Sequence, residues 1–388
     1  MSFGLSEDQL DFMNAARAFA RGELAPYAAQ WDEEKHFPVD KIRAAGELGF
    51  CGMYCPPESG GLGLSRLDTT IILEELAAGC TSTVAFISIH NMATWMLCTW
   101  GNDETRAEWA EALTSGQKLA SYCLTEPNAG SDAGSLRTRA ERDGDFYVIN
   151  GSKMFISGAG ATDVLVTMVR TGAAGSGPKG ITALAIPANL PGIIYGKNEA
   201  KLGWNSQPTR AITFDNVRVP VANRLGDEGE GFMIAMRGLD GGRINIAACS
   251  LGAAQATLDH TQRYLREREQ FGKPLAAFQA LQFKLADMVT DLVAARQMVR
   301  LAASALDADH PEKTAYCAMA KRFATDACFD ICNAALQLHG GYGYLREFPI
   351  ERFLRDARVH QILEGTNEIM RVIISRRLLE DGATEVLR

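Results

Sequence analysis

The chain has 388 residues, of which 47% are hydrophobic and 22% are charged, and its formal net charge is −8 at pH 7. This length and hydrophobic content are sufficient for a large buried core and for two or three domains. The acidic balance argues against a nucleic acid as the main partner. The sequence has no run of eighteen apolar residues, so we expect no membrane span.

The cysteines and histidines indicate neither a disulfide framework nor a metal site. Nine Cys are scattered without a C-x-x-C pair, which is typical of reduced thiols in a cytosolic-type compartment. The six His lack the spacing of known metal motifs, so we predict no catalytic metal. The N-terminus has no basic segment leading into an apolar one. We therefore expect a bacterial cytoplasmic protein, or a mitochondrial matrix protein if the source is eukaryotic.

Helical periodicity covers residues 1–117 and predicts an N-terminal helical domain. Ser6 and Gln9 form a capping-box pattern at the start of one helix, and another helix is expected over residues 66–78. The Gly- and Pro-rich segment 55–63 predicts a loop, because its glycines do not have the spacing of a dinucleotide-binding fingerprint.

Near Lys118 the apolar pattern changes to one that is typical of strands. Strands are expected at 146–149, 154–156, 164–170, 181–186, 211–214 and 217–219. The dipeptide Asn150-Gly151 predicts a hairpin turn between the first two strands. Residues 118–227 are therefore predicted to form a middle β domain, a small barrel or sandwich.

The helical period returns at residue 228 and continues to the end of the chain. Seven apolar residues from Leu281 to Ala302 alternate at intervals of four and three, as in a long helix packed lengthwise against others. A break at residues 309–311 precedes a second long helix over 315–338. Residues 228–388 are predicted to form a C-terminal four-helix bundle, which makes the chain a multidomain α+β protein.

The segment from His360 to Arg371 contains the residue that we favour for the chemistry, Glu364. Apolar side chains precede this glutamate, Gly365 follows it, and Thr366 begins a pattern typical of a helix start. A carboxylate in such surroundings is a candidate general base with a raised pKa, because burial disfavours its charged form. On these residues alone, an exposed glutamate on an ordinary turn is the simpler interpretation.

Four further segments depart from what packing alone requires. Small and hydroxyl residues in 122–135 offer short side chains and backbone N–H groups to a planar polar ligand, although a turn-rich loop explains part of the pattern. Phe155 and Ser157 are candidates for stacking on a flat cofactor and bonding to it, with a core phenylalanine as the alternative. Arg268 is a candidate pyrophosphate ligand, or part of a solvated helix end. After His339, three glycines within four positions exceed what a helix stop needs.

Together these segments resemble the acyl-CoA dehydrogenase family over essentially the whole chain. Segments 123–135 and 337–356 are similar to the two patterns of the family. Within the family, segments 201–210, 241–247 and 359–365 are most similar to members that act on isobutyryl-CoA in valine breakdown. The resemblance implies FAD-dependent oxidation of isobutyryl-CoA to methacrylyl-CoA, with 2-methylbutyryl-CoA or butyryl-CoA as alternative substrates. It also implies electron-transfer flavoprotein as the electron acceptor.

The resemblance assigns roles to individual residues. It implies that Glu364 is the base that removes the α-proton and that its backbone N–H, with a ribityl hydroxyl of FAD, binds the thioester oxygen. FAD contacts are implied at Tyr122, Leu124, Thr125, Ser131, Phe155, Ile156, Ser157, Thr366, Asn367 and Glu368. FAD contacts across a subunit interface, and hence a homotetramer, are implied at Arg268, Phe271, Phe278, Gln279, Gln337, Leu338, His339, Gly340 and Gly341. Acyl-CoA contacts are implied at Ser131, Asp240, Gly241, Gly242, Arg243, Leu363 and Gly365.

Two departures from the family pattern, and one comparison of where the base lies, bear on substrate and mechanism. Many relatives have Trp at Phe155, and many straight-chain relatives have Tyr at Leu363, where a smaller side chain leaves room for an α-methyl group. Some branched-chain relatives carry their base at the position equivalent to Gly242. Because a glycine cannot act as a base, Glu364 is the only acid at either of these two positions. An acyl-CoA oxidase and a non-catalytic acyl-CoA- or FAD-binding protein are the alternatives. The moderate length of the chain argues against the first and Glu364 against the second.

Overall fold

The computed structural model describes residues 4–173, 175–380 and 382–387. Its N-terminal part is a group of helices around an apolar core that includes Phe19, Trp31 and Leu73. The predicted capping box at Ser6 and Gln9 is confirmed, since each side chain accepts a hydrogen bond from the other residue's backbone N–H. The helices are α1 (Glu7–Phe19), α2 (Ala28–Glu34), α3 (Val39–Glu47), α4 (Arg66–Ala77), α5 (Thr81–Trp100) and α6 (Asp103–Thr114).

The middle part is one bent sheet whose two halves face each other. The strands are β1 (Ala120–Cys123), β2 (Arg139–Asp143), β3 (Phe146–Ser157), β4 (Val164–Arg170), β5 (Ile181–Pro187), β6 (Ile193–Tyr195), β7 (Thr209–Pro220) and β8 (Arg224–Leu225). The strand order is β6-β7-β3-β2-β4-β5-β8, with β1 beside β4. Only the pair Arg139 and Arg170 joins β2 to β4. Residues of β3 and β7 share one core with residues of β4 and β5, as in a sandwich.

The predicted hairpin turn at Asn150-Gly151 is wrong. The strand β3 runs through this dipeptide, and the turn lies earlier, at Gly144, where φ is +60°. Asn150 and Gly151 instead form an irregularity at which the register with β7 shifts. A side chain at Gly151 would meet the Thr138 backbone at 2.6 Å, so this glycine permits close strand contact rather than a chain reversal.

The C-terminal part consists of long helices, as the sequence predicted. The elements are α7 (Gly231–Glu267), β9 (Glu269–Gln270), β10 (Lys273–Pro274), α8 (Gln279–Asp307), α9 (Lys313–His339), α10 (Ile350–Arg358), α11 (Asn367–Leu378) and α12 (Ala383–Val386). The predicted apolar stripe of α8, including Met288, Leu292 and Val299, is buried against α7 and α9. The fold prediction of a helical, a β and a second helical domain is confirmed, whereas the exact limits at 117 and 227 stay predictions.

The N-terminal helices, the sheet and α7 enclose a shared apolar core. Met92 and Leu97 of α5 pack with Val166 of β4 and Ile234 of α7. The first half of α7 is therefore buried between the N-terminal helices and the sheet, at the centre of the molecule. Within the described residues, no helix combines the length and apolar character that crossing a lipid bilayer requires.

Candidate active site

Glu364 lies in a strained turn between α10 and α11. A short 3-10 segment, Val359–Gln361, follows α10, and then Glu364 and Gly365 both adopt left-handed conformations with φ of +56° and +87°. A left-handed residue other than glycine costs about 1–3 kcal/mol and is found where surrounding contacts enforce it. Thr366 ends the turn by capping α11, since its side chain accepts the N–H of Ile369.

The turn directs the Glu364 carboxylate against α7. Its Oε2 atom is inaccessible to solvent and has no hydrogen-bond partner among the described residues. A methyl group added at Gly242 would lie 2.5 Å from this oxygen, so the absence of a side chain on α7 makes room for the carboxylate. Within the same residues, the backbone N–H of Glu364 also forms no hydrogen bond. Both groups therefore remain available to a ligand.

The electrostatic surroundings of Glu364 suit a base that works near neutral pH. Burial raises the pKa of Glu364 to about 7, while the positive charges of Arg243 and Lys321 act in the opposite direction. A carboxyl group with this pKa is a far better proton acceptor than an exposed glutamate and is still partly ionised at pH 7.

Lys321 is a functional candidate that the sequence reasoning missed. Its side chain is fully buried, and its ammonium donates to the Gly365 carbonyl and to Asn367 Oδ1, both at 2.8 Å. The signal was present in α9, where Lys321 stands in register with the buried residues Cys317 and Cys328. A lysine within an apolar helical stripe is rarely buried without a specific partner.

Arg243 and Asp240 lie on α7 beside Gly242 and bond to each other. The Arg243 Nη1 atom donates to Asp240 Oδ1 at 2.6 Å, and Asp240 Oδ2 accepts from Thr314 at 2.7 Å. Both side chains are buried, yet Arg243 Nε has no partner within the described residues. This guanidinium therefore retains a donor for a ligand next to the Glu364 turn.

A second buried arginine, Arg66, contacts α7 at Gly241, the residue before Gly242. Arg66 was not singled out from the sequence either. Its guanidinium lies 3.5 Å from the centre of the Tyr54 ring and 4.9 Å from that of Trp95. A methyl group at Gly241 would lie 2.6 Å from Arg66 Nη1. Gly241 thus makes room for Arg66, and Gly242 makes room for Glu364. The sequence did not reveal this difference, because both glycines were expected to contact the acyl-CoA.

The predicted FAD residues of the middle part lie at or just after the end of β1 and at the end of β3. Thr125 accepts the Met154 N–H at 2.8 Å, and the Ser157 carbonyl accepts the Ser121 hydroxyl at 2.7 Å. These bonds bring segment 122–125 next to segment 155–157. Ser131 is exposed in the following loop, whereas Leu124 is buried in the core.

Two aromatic residues of this region differ in exposure. Phe155 has φ of +60° at a register shift of β3, and its side chain is 63% exposed. Tyr122 is half-buried, and its hydroxyl is enclosed without a partner among the described residues. Burial, and next the charge of Glu364, raise the pKa of Tyr122 well above its usual value, so the two groups lie near each other. Ile156 packs in the sheet core, so a ligand there meets its backbone only.

The residues at the start of α11 are largely engaged within the protein. Asn367 is buried, accepts from Lys321, and donates to Asp326 Oδ1 at 2.7 Å. The Thr366 hydroxyl caps the helix, while the side chain of Glu368 is exposed near Arg371. A ligand at this helix start therefore meets backbone N–H groups and the Glu368 carboxylate more readily than the Asn367 amide.

The other predicted FAD residues form a separate patch at the far end of α7. The Arg268 guanidinium lies over the Tyr342 ring at 5.3 Å, and the rings of Phe271 and Phe278 are 6.1 Å apart. Phe271 is 91% exposed. Gln279, Gln337, Gly340 and Gly341 are exposed beside them, whereas Leu338 and His339 are buried. At 1.5 Å per helical residue, Arg268 lies about 39 Å along α7 from Gly242. The structure does not bring this patch and Glu364 together within one subunit.

Comparison with known proteins identifies the family. Family models for the N-terminal, middle and C-terminal domains of acyl-CoA dehydrogenases match residues 6–117, 121–217 and 229–379. Isobutyryl-CoA dehydrogenase of Bos taurus is 56% identical over 98% of this chain and 91% of its own length. The enzyme of the same name from Dictyostelium discoideum is 55% identical, with the same coverage of both chains. The structure of butyryl-CoA dehydrogenase from Megasphaera elsdenii matches with a TM-score of 0.94 and 38% identity, over 98% of this chain and all of that one.

The chain belongs to the acyl-CoA dehydrogenase family. It is an oxidoreductase, and its activity is the dehydrogenation of acyl-CoA thioesters. The likeness to isobutyryl-CoA dehydrogenases that the sequence motifs predicted is confirmed at 55–56% identity.

Proposed function

We propose that this enzyme oxidises isobutyryl-CoA to methacrylyl-CoA, with FAD as its redox cofactor, in valine breakdown. Two isobutyryl-CoA dehydrogenases, each more than half identical to the chain, support isobutyryl-CoA as the substrate. Leu363 supports it as well, because a leucine before the base occupies less space than a tyrosine and leaves room for an α-methyl group. 2-Methylbutyryl-CoA and butyryl-CoA are the next candidates.

The residues around Glu364 fit a flat, polar cofactor. The Tyr122 hydroxyl and the Glu364 Oε2 atom are enclosed polar atoms without partners among the described residues, and the ring of Phe155 at the end of β3 is exposed. Ser157, beside this ring, offers a hydroxyl and backbone groups. Tyr122, Thr125, Phe155 and Ser157 would hold the isoalloxazine ring, which supplies the acceptor for a hydride from the β-carbon of the substrate.

Glu364 is the base in this proposal. Its ionised carboxylate takes the α-proton of the thioester, and its free backbone N–H donates to the thioester oxygen as negative charge develops there. A raised pKa fits this task, because a carboxylate with an ordinary pKa near 4.3 is a weak base for a C–H bond. The single observation that carries the proposal is the placement of this half-buried carboxylate, with an unpaired oxygen, directly against Gly242.

The second FAD patch supports a homotetramer. Arg268 and Phe271 lie too far along α7 to act in the same site as Glu364 of their own subunit. Phe271 is exposed and Arg268 is half-buried, so both side chains can reach a cofactor held mainly by another subunit. A symmetric assembly would then complete each site with the patch of a neighbour.

Electron-transfer flavoprotein is the proposed acceptor of the electrons. An acyl-CoA oxidase would pass them to oxygen instead, and a non-catalytic binding protein would not remove them from the substrate. The two dehydrogenase relatives favour electron-transfer flavoprotein over oxygen as the acceptor. The free carboxylate of Glu364 favours an enzyme over a non-catalytic binding protein.

Anaerobic flavin bleaching tests the substrate. The purified holoenzyme is mixed with isobutyryl-, 2-methylbutyryl-, butyryl- and octanoyl-CoA, and flavin absorbance is followed in a stopped-flow instrument. We expect isobutyryl-CoA to bleach the flavin fastest. Fastest bleaching by butyryl-CoA would contradict the branched-chain assignment, and no bleaching by any thioester would contradict the enzyme assignment. Peroxide release in air, compared with reduction of electron-transfer flavoprotein, distinguishes the oxidase.

A further inference from the structure

Lys321 contacts both sides of the turn that carries Glu364. Its ammonium donates to the carbonyl of Gly365, immediately after Glu364, and to the side chain of Asn367, the first residue of α11. The lysine comes from the middle of α9, a 27-residue helix in the bundle core. A rigid element therefore holds the turn from outside it, which is a common way to maintain a strained backbone conformation.

Both acceptors of the Lys321 ammonium, the Gly365 carbonyl and Asn367 Oδ1, are neutral oxygens rather than carboxylates. The charged groups that act on it are Glu364 from the turn, Arg243 from α7, Asp326 from α9 and Glu368 from α11. Burial lowers the pKa of Lys321 to about 7, and Glu364 is the first of the charges that raise it. The glutamate is in turn affected by two cations, Arg243 and Lys321. Since Arg243 already bonds to Asp240, Lys321 is the cation whose charge is least compensated elsewhere.

We propose that Lys321 is a positioning residue for the base: its two hydrogen bonds keep the Glu364–Gly365 turn left-handed, and its charge favours the ionised carboxylate. This inference rests on the proposed role of Glu364. A purely structural lysine would also satisfy the Gly365 carbonyl, since a buried acceptor without a donor destabilises the fold. The two roles differ in their effect on the pH dependence of the reaction.

In the wild-type enzyme, kcat/KM should rise with pH through an apparent pKa near 7 that belongs to the interacting pair Glu364 and Lys321, because only the ionised carboxylate accepts a proton. Loss of a nearby cation disfavours that ionised form and moves the midpoint to higher pH. The test compares the holoenzymes of Lys321→Met, Lys321→Gln and Lys321→Arg with wild type, using isobutyryl-CoA. Glutamine keeps an N–H donor without charge, and arginine keeps the charge.

For Lys321→Met we expect kcat to fall on the order of 100-fold, since small misplacement of a reacting group has effects of this size. KM should change much less, and the midpoint should move to higher pH. Lys321→Gln should move the midpoint by a similar amount with a smaller loss of kcat, and so remains informative if the methionine variant folds poorly. Lys321→Arg, which keeps the positive charge at every pH tested, should not move the midpoint to higher pH.

Arg377→Met is the matched control. Arg377 on α11 pairs with Glu312 at the start of α9, so this change removes another cationic contact between the same two helices, away from the turn. It should lower the unfolding temperature and leave the pH midpoint unchanged. The proposal is overturned if Lys321→Gln or Lys321→Met loses only thermal stability and keeps the wild-type kcat and midpoint. If none of the acyl-CoA thioesters bleached the flavin of the wild-type enzyme, that result would instead count against the proposed function itself.

Discussion

Leu363, immediately before Glu364, is half-buried and packs against the core of the N-terminal helices. Replacing it with tyrosine should fill the space that an α-methyl group needs. We predict that Leu363→Tyr loses at least about 10-fold in kcat/KM for isobutyryl-CoA, a size expected when a methyl-sized space is lost, and much less for butyryl-CoA. Steady-state assays with both thioesters measure this ratio.

Ile362→Tyr is the control for Leu363→Tyr, because it adds the same ring one residue earlier, where the side chain is 51% exposed. It should leave the preference between the two substrates unchanged. Equal losses on both thioesters in Leu363→Tyr would show that the ring disturbs the base rather than the acyl pocket.

Among single residues, the sequence pointed to candidates whose chemical type identifies them. It did not point to candidates that only their position in the fold identifies. Glu364 was proposed as the base, and Gly242 was set aside, because an acid can accept the proton and a glycine cannot. Lys321 and Arg66 were missed, because only their burial beside Gly365 and Gly241 distinguishes them, and in the sequence each has an ordinary explanation as a surface charge. The left-handed φ of Glu364 was equally invisible, since left-handed residues other than glycine follow from tertiary contacts.

Among the elements, the long helices were predictable and the details of the sheet were not. The stripe of α8 repeats many times, so its period is unambiguous even without knowledge of its partners. Asn150-Gly151 matches the pattern of a tight turn, but pairing with β7 and close contact with Thr138 keep it within β3. The register shift that exposes Phe155 depends on the same pairing, so no local pattern predicts it.

A loop of the middle part, for which the sequence predicted no structural role, contacts the segment that leads to the Glu364 turn. In the 201–210 segment, the Trp204 indole N–H donates to His360 Nε2 at 3.1 Å, and His360 Nδ1 lies 2.7 Å from the Ser250 hydroxyl. Because an indole N–H can only donate, Nε2 accepts and Nδ1 carries the proton. Burial lowers the pKa of His360 to about 3, so the ring is neutral at pH 7.

We predict that Trp204→Phe lowers the free energy of unfolding by about 1–3 kcal/mol more than loss of ring volume alone, because it leaves a buried acceptor unpaired. Urea denaturation at pH 7 measures this. Trp109→Phe is the control, since Trp109 is similarly buried but its indole N–H has no partner within the described residues. Equal destabilisation by the two changes would argue that the hydrogen bond to His360 contributes nothing.

For the whole molecule, the 37-residue helix α7 separates two groups of proposed FAD residues. One group includes Glu364 and the ends of β1 and β3, and the other lies at the far end of α7, where Phe271 is exposed and Arg268 is half-buried. If each active site takes its two groups from different subunits, a subunit defective in one group can be rescued by a subunit defective in the other. Sites within a single subunit would not allow such rescue.

We predict that mixed assemblies of Glu364→Gln subunits and Arg268→Ala/Phe271→Asp subunits regain activity that neither homo-oligomer has. The two variants are co-expressed with different affinity tags, and assemblies that carry both tags are isolated and assayed with isobutyryl-CoA. A mixed assembly that binds FAD and stays inactive would contradict the two-subunit site.

The central claim is that Glu364 is the base, and the reductive half-reaction of Glu364→Gln tests it most directly. Glutamine keeps the size of the side chain and cannot accept the α-proton. The variant should bind FAD and isobutyryl-CoA like the wild type, while anaerobic flavin bleaching slows at least about 100-fold, the lower range for loss of a general base. Bleaching at a rate close to that of the wild type would contradict the assignment.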